Sequence, residues 1–242
     1  LFWITHKGEN IRIRLRNFTP TRAFAKEIIF GGTPSLSRQG LGSIATLMLN
    51  VAAGAFGDAA IAGMSIVTRI SFFTYAMVIG LGQGFQPLCG FCYGAKLYGR
   101  VKEAFFFCIK CGTVFLSVCA ILGFIFSTSI ISIFRDDAAV VAVGSAALRW
   151  QVLSFPLVAS IVLTNMLMQT IRKPVRANIV AAARSGLFFI PLIFILPYFF
   201  GLLGVEMCQM WADCCSFAVA VPIAWSAFRD MRREQMELGK SH

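Results

Sequence analysis

The segment that decides the fold is 59-AAIAGMSIVTRISFFTYAMVIGLGQGFQPLCGFCYGAKLYGRVKE-103. Residues 59–93 are predominantly apolar and exceed the roughly 20 residues with which a helix crosses the core of a bilayer. The loop that follows, 94–103, carries Lys96, Arg100 and Lys102. Because positively charged loops stay on the cytoplasmic side, this arrangement predicts a membrane-spanning helix that ends at the cytoplasmic face.

Five further apolar stretches extend the pattern along the chain. Hydrophobic residues make up 57% of the sequence and the mean hydropathy is +0.75, which is too apolar for a water-soluble domain. The sequence therefore predicts an all-α integral membrane protein, a bundle of six transmembrane helices over 28–228. We expect its spans at 28–56, 59–93, 104–128, 140–170, 177–197 and 205–228.

Basic residues occupy every second gap between these stretches. The other three gaps contain one, Arg135. This alternation predicts that both ends of the chain are cytoplasmic, and it assigns the net charge of +11 to contact with anionic lipid headgroups rather than with nucleic acid. The cytoplasmic gaps hold Lys7, Arg12, Arg14, Arg16, Arg22, Lys26, Lys96, Arg100, Lys102, Arg172, Lys173, Arg176, Arg229, Arg232, Arg233 and Lys240.

The two ends of the chain are predicted to lie outside the bundle. Residues 1–4, Leu-Phe-Trp-Ile, are apolar and stop abruptly at 5–7, Thr-His-Lys. We therefore expect 1–27 to contain the end of a preceding membrane helix and a basic cytoplasmic connector, and 229–242 to be a cytoplasmic tail. The start of the sequence suggests that an N-terminal portion is missing.

Two Cys-x-x-Cys pairs, at Cys89–Cys92 and Cys108–Cys111, have the spacing of a zinc ribbon. Their flanks are apolar and helical in pattern, and free cysteine also packs as a small hydrophobic residue. Packing is the favoured interpretation, zinc the alternative, and disulfides are disfavoured by a reducing cytoplasmic face.

Polar residues recur at helical spacing within four of the spans. Such residues either hydrogen-bond between helices or line a water-filled path. Either role is open for each residue, and four such stripes in one bundle favour at least one cavity. The stripes are Ser35, Gln39, Ser43, Thr46 and Asn50; Thr68, Tyr75, Gln83 and Gln86; Asn165 and Gln169; and Glu206, Gln209, Asp213 and Ser216.

Four charged residues lie deeper within the spans. Arg38 and Arg184 are about two turns from a cytoplasmic end, so both are able to reach the interface by snorkelling. Arg69 and Asp213 each lie about ten residues, some 15 Å, from the outer surface. A charge buried in a membrane requires a partner, and we therefore predict an Arg69–Asp213 pair, serving either packing or transport.

Catalytic and cofactor signatures are missing from the sequence. Both histidines, His6 and His242, are terminal, and the sequence has no phosphate-binding loop, nucleophile elbow or metal-ligand cluster on span interiors. The glycines at 80, 82 and 84 lie in an apolar helix rather than after a strand, which excludes a nucleotide fingerprint. The sequence predicts neither an enzyme nor a bound metal or organic cofactor.

Several segments resemble, in order, the C-terminal half of the bacterial multidrug and toxic-compound extrusion transporters, the MATE family. The match is strongest in 80-GLGQGFQP-87, 93-YGAK-96 and 98-YGRVKE-103. It covers nearly the whole chain, and the order and spacing of the segments make it specific. Further matches are 38-RQGL-41, Gln169, 173-KP-174, Arg184, 190-IPL-192, 201-GLLGV-205, Gln209 and 212-AD-213.

The chain departs from this family at three positions and in where its acidic residues lie. Glu206, Ile171 and Cys92 stand where the family commonly has Trp, Gly and Asn. Some members bind a coupling cation through carboxylates on the first and fourth spans of this half, and neither span of this chain holds an acid. The resemblance therefore implies that an acid coupling transport to H⁺ or Na⁺ lies in the other half.

The resemblance implies one six-helix lobe of a twelve-helix transporter that alternates access across a bacterial inner membrane. Its partners would be membrane lipid, a missing N-terminal six-helix lobe and small organic cations, exported in exchange for H⁺ or Na⁺. On this interpretation the wall of the substrate cleft contains Gln39, Thr46, Asn50, Tyr75, Gln83, Asn165 and Gln169, with Met166 and Phe73 as apolar contacts or, alternatively, as packing residues.

Other functions stay open from the sequence. One is a flippase-like exporter of lipid-linked or anionic cargo from the same superfamily, which an unusually cationic cleft would favour. A second is a membrane-embedded enzyme, disfavoured because no His or carboxylate cluster lies within the spans. A third is a transporter fragment without activity of its own.

Overall fold

A computed structural model describes residues 21–240, and every regular element in that range is helical. The predicted connector lies largely outside these residues, as do 241 and 242. The elements are α1 (Arg22–Gly54), α2 (Asp58–Gly94), α3 (Tyr98–Ile125), α4 (Ser127–Phe134), α5 (Ala138–Thr170), α6 (Pro174–Ala182), a π-helical turn (Ala183–Leu187), α7 (Phe189–Phe200) and α8 (Leu202–Lys240).

Five helical segments among the described residues are long and apolar enough to cross a membrane. They are α2, α3, α5, the composite Pro174–Phe200 and Leu202–Glu237 within α8. The all-α membrane class predicted from the sequence is therefore confirmed. The span expected at 28–56 is helical too, as α1, but polar and charged residues dilute its apolar character.

Helix α5 forms the centre of the bundle. Most of its apolar 18-residue window is buried, whereas only about a fifth to a third of the corresponding window is buried in each other candidate span. Its fully buried residues include Leu148, Val158 and Leu163. It packs against α2, α3 and α8, so its buried polar residues, Gln151, Ser154, Thr164 and Asn165, are held away from lipid.

Close approach of α2 and α5 depends on two glycines. A Cβ placed on Gly63 would lie 3.0 Å from the backbone nitrogen of Gly144. The backbones therefore touch where neither residue has a side chain, as is common between membrane helices.

The outer surface of the bundle is apolar. Phe107, Val114, Ile121 and Phe194 are all exposed on α3 and α7. A soluble monomer rarely exposes apolar surface on this scale. The surface agrees with the interpretation of lipid as the surrounding solvent.

A π-helical turn interrupts the segment between α6 and α7. The Phe188 N–H donates to the Ala183 carbonyl oxygen at 3.1 Å, one residue further back than in an α-helix. Pro191 follows closely. Proline has no N–H to donate, and in a helix its ring clashes with the carbonyl group four residues earlier. The wider turn lies just ahead of this proline, and it carries Arg184, one of the charges of the candidate site.

The α2–α3 and α5–α6 connections share one turn geometry. Lys96 and Arg172 have φ values of 59° and 56°, in the left-handed region. In each turn the N–H of the following residue donates to the carbonyl oxygen five positions earlier, Leu97 to Cys92 and Lys173 to Met168. Lys173 then pairs with Asp230 of α8 at 2.6 Å, which ties the start of α6 to the end of α8.

Candidate substrate cavity

A cavity of about 210 Å³ lies between α1, α2, α5, the π-helical turn, α7 and α8. Its α2 wall shows helical spacing, because Thr68, Ser71 and Tyr75 lie three or four residues apart. The wall combines hydroxyl, amide, aromatic and aliphatic groups. The lining residues are Gly42, Ala45, Thr46, Leu49, Met64, Val67, Thr68, Ser71, Phe72, Tyr75, Gln151, Arg184, Ser185, Phe189 and Gln209.

Behind this wall, the Asp213 carboxylate joins three elements. Asp213 is 0% exposed. Arg184 Nε and Gln209 Nε2 donate to its Oδ1 at 2.7 and 2.9 Å, and the Ser154 hydroxyl lies 2.9 Å from Oδ2. Buried charge in a membrane protein is costly unless it is paired, and this carboxylate has both an ion-pair partner and further hydrogen bonds.

Tyr75 connects the same network to α2. Gln151 Nε2 donates to Tyr75 Oη at 2.9 Å, and the Arg184 guanidinium lies 4.6 Å from the centre of the tyrosine ring. The Ser154 hydroxyl is also within 2.9 Å of the Gln151 carbonyl oxygen, and its single proton serves one acceptor at a time. Helices α2, α5 and α8 and the π-helical turn therefore share one polar cluster beside the cavity.

Ser71 differs from the threonine hydroxyls of the wall. Thr46 and Thr68 each donate to a backbone carbonyl one turn earlier on their own helix. The buried Ser71 Oγ has no hydrogen-bond partner within the described part of the chain. Since an unpaired buried hydroxyl is unfavourable, Ser71 is a wall residue whose hydrogen-bonding capacity is unused.

The cavity wall is close to electrically neutral. Arg184 is the one charged residue among the described residues that line it, and Asp213 compensates that charge from behind. The aromatic rings of Phe72, Tyr75 and Phe189 contribute apolar and π surface. Such a wall suits an uncharged or delocalised organic group better than a phosphate.

Of the residues predicted to line a cleft, Thr46 and Tyr75 lie on this cavity. Asn50 is half-buried and Gln39 and Gln83 are exposed, and these three do not line it. Phe73 is 81% exposed. The part that each plays toward a substrate stays a prediction.

The predicted pair on α5 lies at a different place. Asn165 Nδ2 donates to the Ala177 carbonyl oxygen at 2.7 Å, and Gln169 Nε2 donates to Asn165 Oδ1 at 2.6 Å. Met166 is buried with its sulfur against Gly82 of α2. In this conformation Asn165 and Met166 pack α5 against its neighbours, Gln169 bonds to Asn165 on the same helix, and none of the three lines the cavity.

The predicted Arg69–Asp213 pair is wrong. Arg69 is exposed on α2, one residue beyond the cavity-lining Thr68, and Arg184 pairs with Asp213 instead. Equal depth along the membrane does not bring two side chains to the same side of their helices. Arg184, expected to be able to snorkel, is directed to Asp213 and its side chain is 22% exposed. The side chain of Arg38 lies outside the described residues.

Two features of the site escaped the sequence interpretation. Gln151 and Ser154 lie three residues apart on α5, and this spacing, in an otherwise apolar stretch, is a signal that could have identified them. The partner of Asp213 had no comparable signal, because the π-helical turn that presents Arg184 rotates that side chain relative to a regular helix.

Glu206 is a second buried acid on α8. It is 6% exposed and has no hydrogen-bond or ion-pair partner among the described residues. It lies one turn before Gln209 on the stripe that leads to Asp213, near the start of α8. By contrast, Asp230 and Glu234 both have partners.

Comparisons with known proteins agree with this architecture. The sequence model of the MatE family matches residues 34–195. The multidrug export protein MepA of Staphylococcus haemolyticus is 26% identical over 226 residues, which are 93% of this chain and 50% of MepA. The chain thus spans about half the length of the relatives it matches.

Solved structures show the same fold. An outward-facing multidrug resistance MATE family transporter of the MOP superfamily has a TM-score of 0.87 at 20% identity, over 96% of this chain and 53% of that one. A MOP superfamily transporter from Pyrococcus furiosus, described by the reverse polarity of its binding pocket, gives 0.86 at 19% identity over 96% and 52%. With most of its length matched by the family model and its fold shared with one lobe of these transporters, the chain belongs to the MatE family.

Proposed function

We propose that this chain is one lobe of a secondary active antiporter that exports organic cations and other drugs from a bacterial cell in exchange for H⁺ or Na⁺. The observation that carries the proposal is the neutral, partly aromatic cavity within a chain that belongs to the MatE family. Multidrug export is also the role named for the relative MepA. A second six-helix lobe would supply the opposite wall of the cleft.

The charge of the cavity favours organic cations over anionic cargo. A flippase for phosphate-bearing lipids would require uncompensated cations, and the described residues of the cavity wall offer a single guanidinium that Asp213 already neutralises. Aromatic faces, by contrast, attract cations. Rocking of the two lobes would expose such a wall alternately to the two sides of the inner membrane.

The resemblance implies a coupling acid in the other half, and we assign a second coupling carboxylate, within this lobe, to Glu206. An acid held in a membrane protein without a partner is favoured to bind a proton or a cation. Glu206 lies near the start of α8, which the charge pattern predicts to be the outer end, with both chain termini cytoplasmic. Ions moving down an inward gradient would reach this end first.

The test is dye efflux from an efflux-deficient bacterium expressing the complete protein of which this lobe is part. We expect lower dye accumulation, reversed by a protonophore or by removal of Na⁺, according to the coupling ion. Efflux indifferent to both treatments, or no efflux by a protein that reaches the membrane, would contradict the antiporter.

Glu206→Gln tests the coupling assignment in the same cells, with Glu103→Gln at an exposed acid of α3 as the matched control. We expect Glu206→Gln to abolish most of the ion-dependent efflux and Glu103→Gln to leave it intact. Equal efflux by both variants would remove Glu206 from the coupling mechanism without affecting the assignment as an exporter.

A further inference from the structure

A second cavity, of about 530 Å³, lies between the start of α3 and the end of α8. Among the described residues, three cations line it, Lys102, Arg229 and Arg232, and no carboxylate does. None of the three cations makes an ion pair or hydrogen bond with a residue of the described range 21–240. The site therefore carries three uncompensated positive charges.

Nearby acids are directed elsewhere. Glu103 lines a separate groove between α2 and α3. Glu234 accepts a hydrogen bond at 2.6 Å from the hydroxyl of Tyr98, which belongs to the cavity wall, but the Glu234 side chain itself lines a different recess with Lys96. The positive character of the cavity therefore persists although carboxylates are adjacent in the sequence.

Along both helices the lining changes from charged and polar groups, among them the hydroxyl of Tyr98, to apolar aromatic rings. On α8, Arg229 and Arg232 lie at one end and Trp225 at the other, and the lining positions 225–235 extend about 15 Å along the axis. On α3, Lys102 lies toward the charged end of the cavity and Phe106 toward the aromatic end. The Phe106 ring stacks on Phe228, with centroids 5.9 Å apart and planes inclined by 23°, so the aromatic end is built from both helices.

This gradient matches the shape and chemistry of one kind of molecule. A phospholipid has an anionic phosphate at its head and apolar chains below it, separated by a distance of this order. Trp225 is 71% exposed and offers its indole to lipid at the level where aromatic residues favour the membrane interface. Basic pockets between transmembrane helices on the cytoplasmic side bind anionic headgroups.

We infer that the α3–α8 cavity is a binding site for an anionic phospholipid, with Lys102, Arg229 and Arg232 holding the phosphate and Trp225 and Phe106 contacting the acyl chains. The site connects the two helices at the membrane surface. The site is separate from the candidate substrate cavity. The inference requires only that the two helices cross a bilayer.

The test uses Trp225 as the reporter. The chain is reconstituted into phosphatidylcholine vesicles containing a minor share of either brominated phosphatidylglycerol or brominated phosphatidylcholine, and the signal is the difference between the chain and Trp225→Phe. We expect brominated phosphatidylglycerol to quench Trp225 more strongly at the same mole fraction. Equal quenching by the two lipids would overturn the proposal.

Charge variants assign the effect to the cavity. We expect the combined change Lys102→Gln, Arg229→Gln and Arg232→Gln to lower the enrichment of phosphatidylglycerol at Trp225 by at least about fivefold, the contribution of a single cation at an anionic surface. The matched control, Arg22→Gln with Lys26→Gln and Arg172→Gln, removes three exposed cations outside the cavity and should retain the enrichment. Equal loss in both triples would indicate a general surface potential and overturn the site.

Two further measurements complete the test. Arg229→Gln alone, a smaller change, replaces the triple variant if that variant does not fold, and we expect a loss of about fivefold. Added inorganic phosphate should leave the lipid preference unchanged. Restoration of Trp225 fluorescence by phosphate would mean that the cavity binds a free anion, which contradicts the lipid assignment.

Discussion

The Arg184–Asp213 pair permits a test of the candidate site that does not require transport. Asp213→Asn keeps the shape of the side chain but removes its charge. Three hydrogen bonds, at 2.7, 2.9 and 2.9 Å, end on the carboxylate. Hydrogen bonds to a charged group contribute about 1 kcal/mol more than neutral ones, so the change should lower the free energy of unfolding by at most about 3 kcal/mol, because the Ser154 proton is shared with the Gln151 carbonyl oxygen.

Membrane surroundings and partial exposure reduce that figure. Hydrogen bonds between membrane helices average well below 1 kcal/mol because the unfolded chain finds other partners in the bilayer. The Arg184 side chain is also 22% exposed, which partly solvates the unpaired guanidinium. A loss of about 2 kcal/mol is the expected result, equivalent to a fall in Tm of about 4–8 °C for a domain of this size.

The assay is thermal unfolding in detergent for Asp213→Asn, Arg184→Gln and the double variant. Because the second substitution removes a charge already left without its partner, the double variant should be more stable than the sum of the single losses by about 1–2 kcal/mol. Additive losses would refute the energetic coupling of the pair. Arg69→Gln, at an exposed cation, should change stability by less than about 0.5 kcal/mol, and a loss as large as that of Arg184→Gln would restore the pairing that the structure contradicts.

Three other predictions use the same unfolding measurement. Gly63→Ala should cost about 1–3 kcal/mol because its Cβ would press on the Gly144 backbone, whereas Gly80→Ala, which meets open space, should be neutral or stabilising; equal effects would contradict the close approach of α2 and α5. Ser71→Ala should raise stability by up to about 1 kcal/mol, since it removes a buried unpaired hydroxyl, and a clear loss would reveal a missed partner. Arg172→Gly should stabilise the α5–α6 turn by about 0.5–1 kcal/mol, because glycine adopts φ near 56° without steric cost, and no gain would argue against that turn geometry.

Local sequence patterns predicted part of the candidate site. Thr46 and Tyr75 line the cavity and belong to stripes that helical spacing alone identified. Asn165 and Gln169 belong to an equally regular stripe, yet their amides bond to each other and to the Ala177 carbonyl oxygen. Periodicity shows which residues share a helix face, but it does not show whether that face meets a cavity or another helix.

The ion pair across the bundle could not be predicted from the sequence, for a related reason. Depth in the membrane alone allowed either Arg69 or Arg184 to pair with Asp213. The choice depended on the rotation of α2, which turns Arg69 outward, and on the π-helical turn before Pro191, which presents Arg184 to α8. Both are set by packing around α5 and have no separate sequence signature.

The sequence by itself determined the solvent of this protein and the class of its fold. Apolar stretches of bilayer length and basic residues in alternate gaps are properties of segments, and the free energy of moving a segment from water to lipid depends mainly on its composition. Three features were decided by the tertiary structure alone: the contacts of Asp213, the Ser71 hydroxyl without a partner among the described residues, and the cationic cavity between α3 and α8. They depend on how residues far apart in the chain are rotated and brought together, and many rotations of the same helices satisfy the same hydropathy.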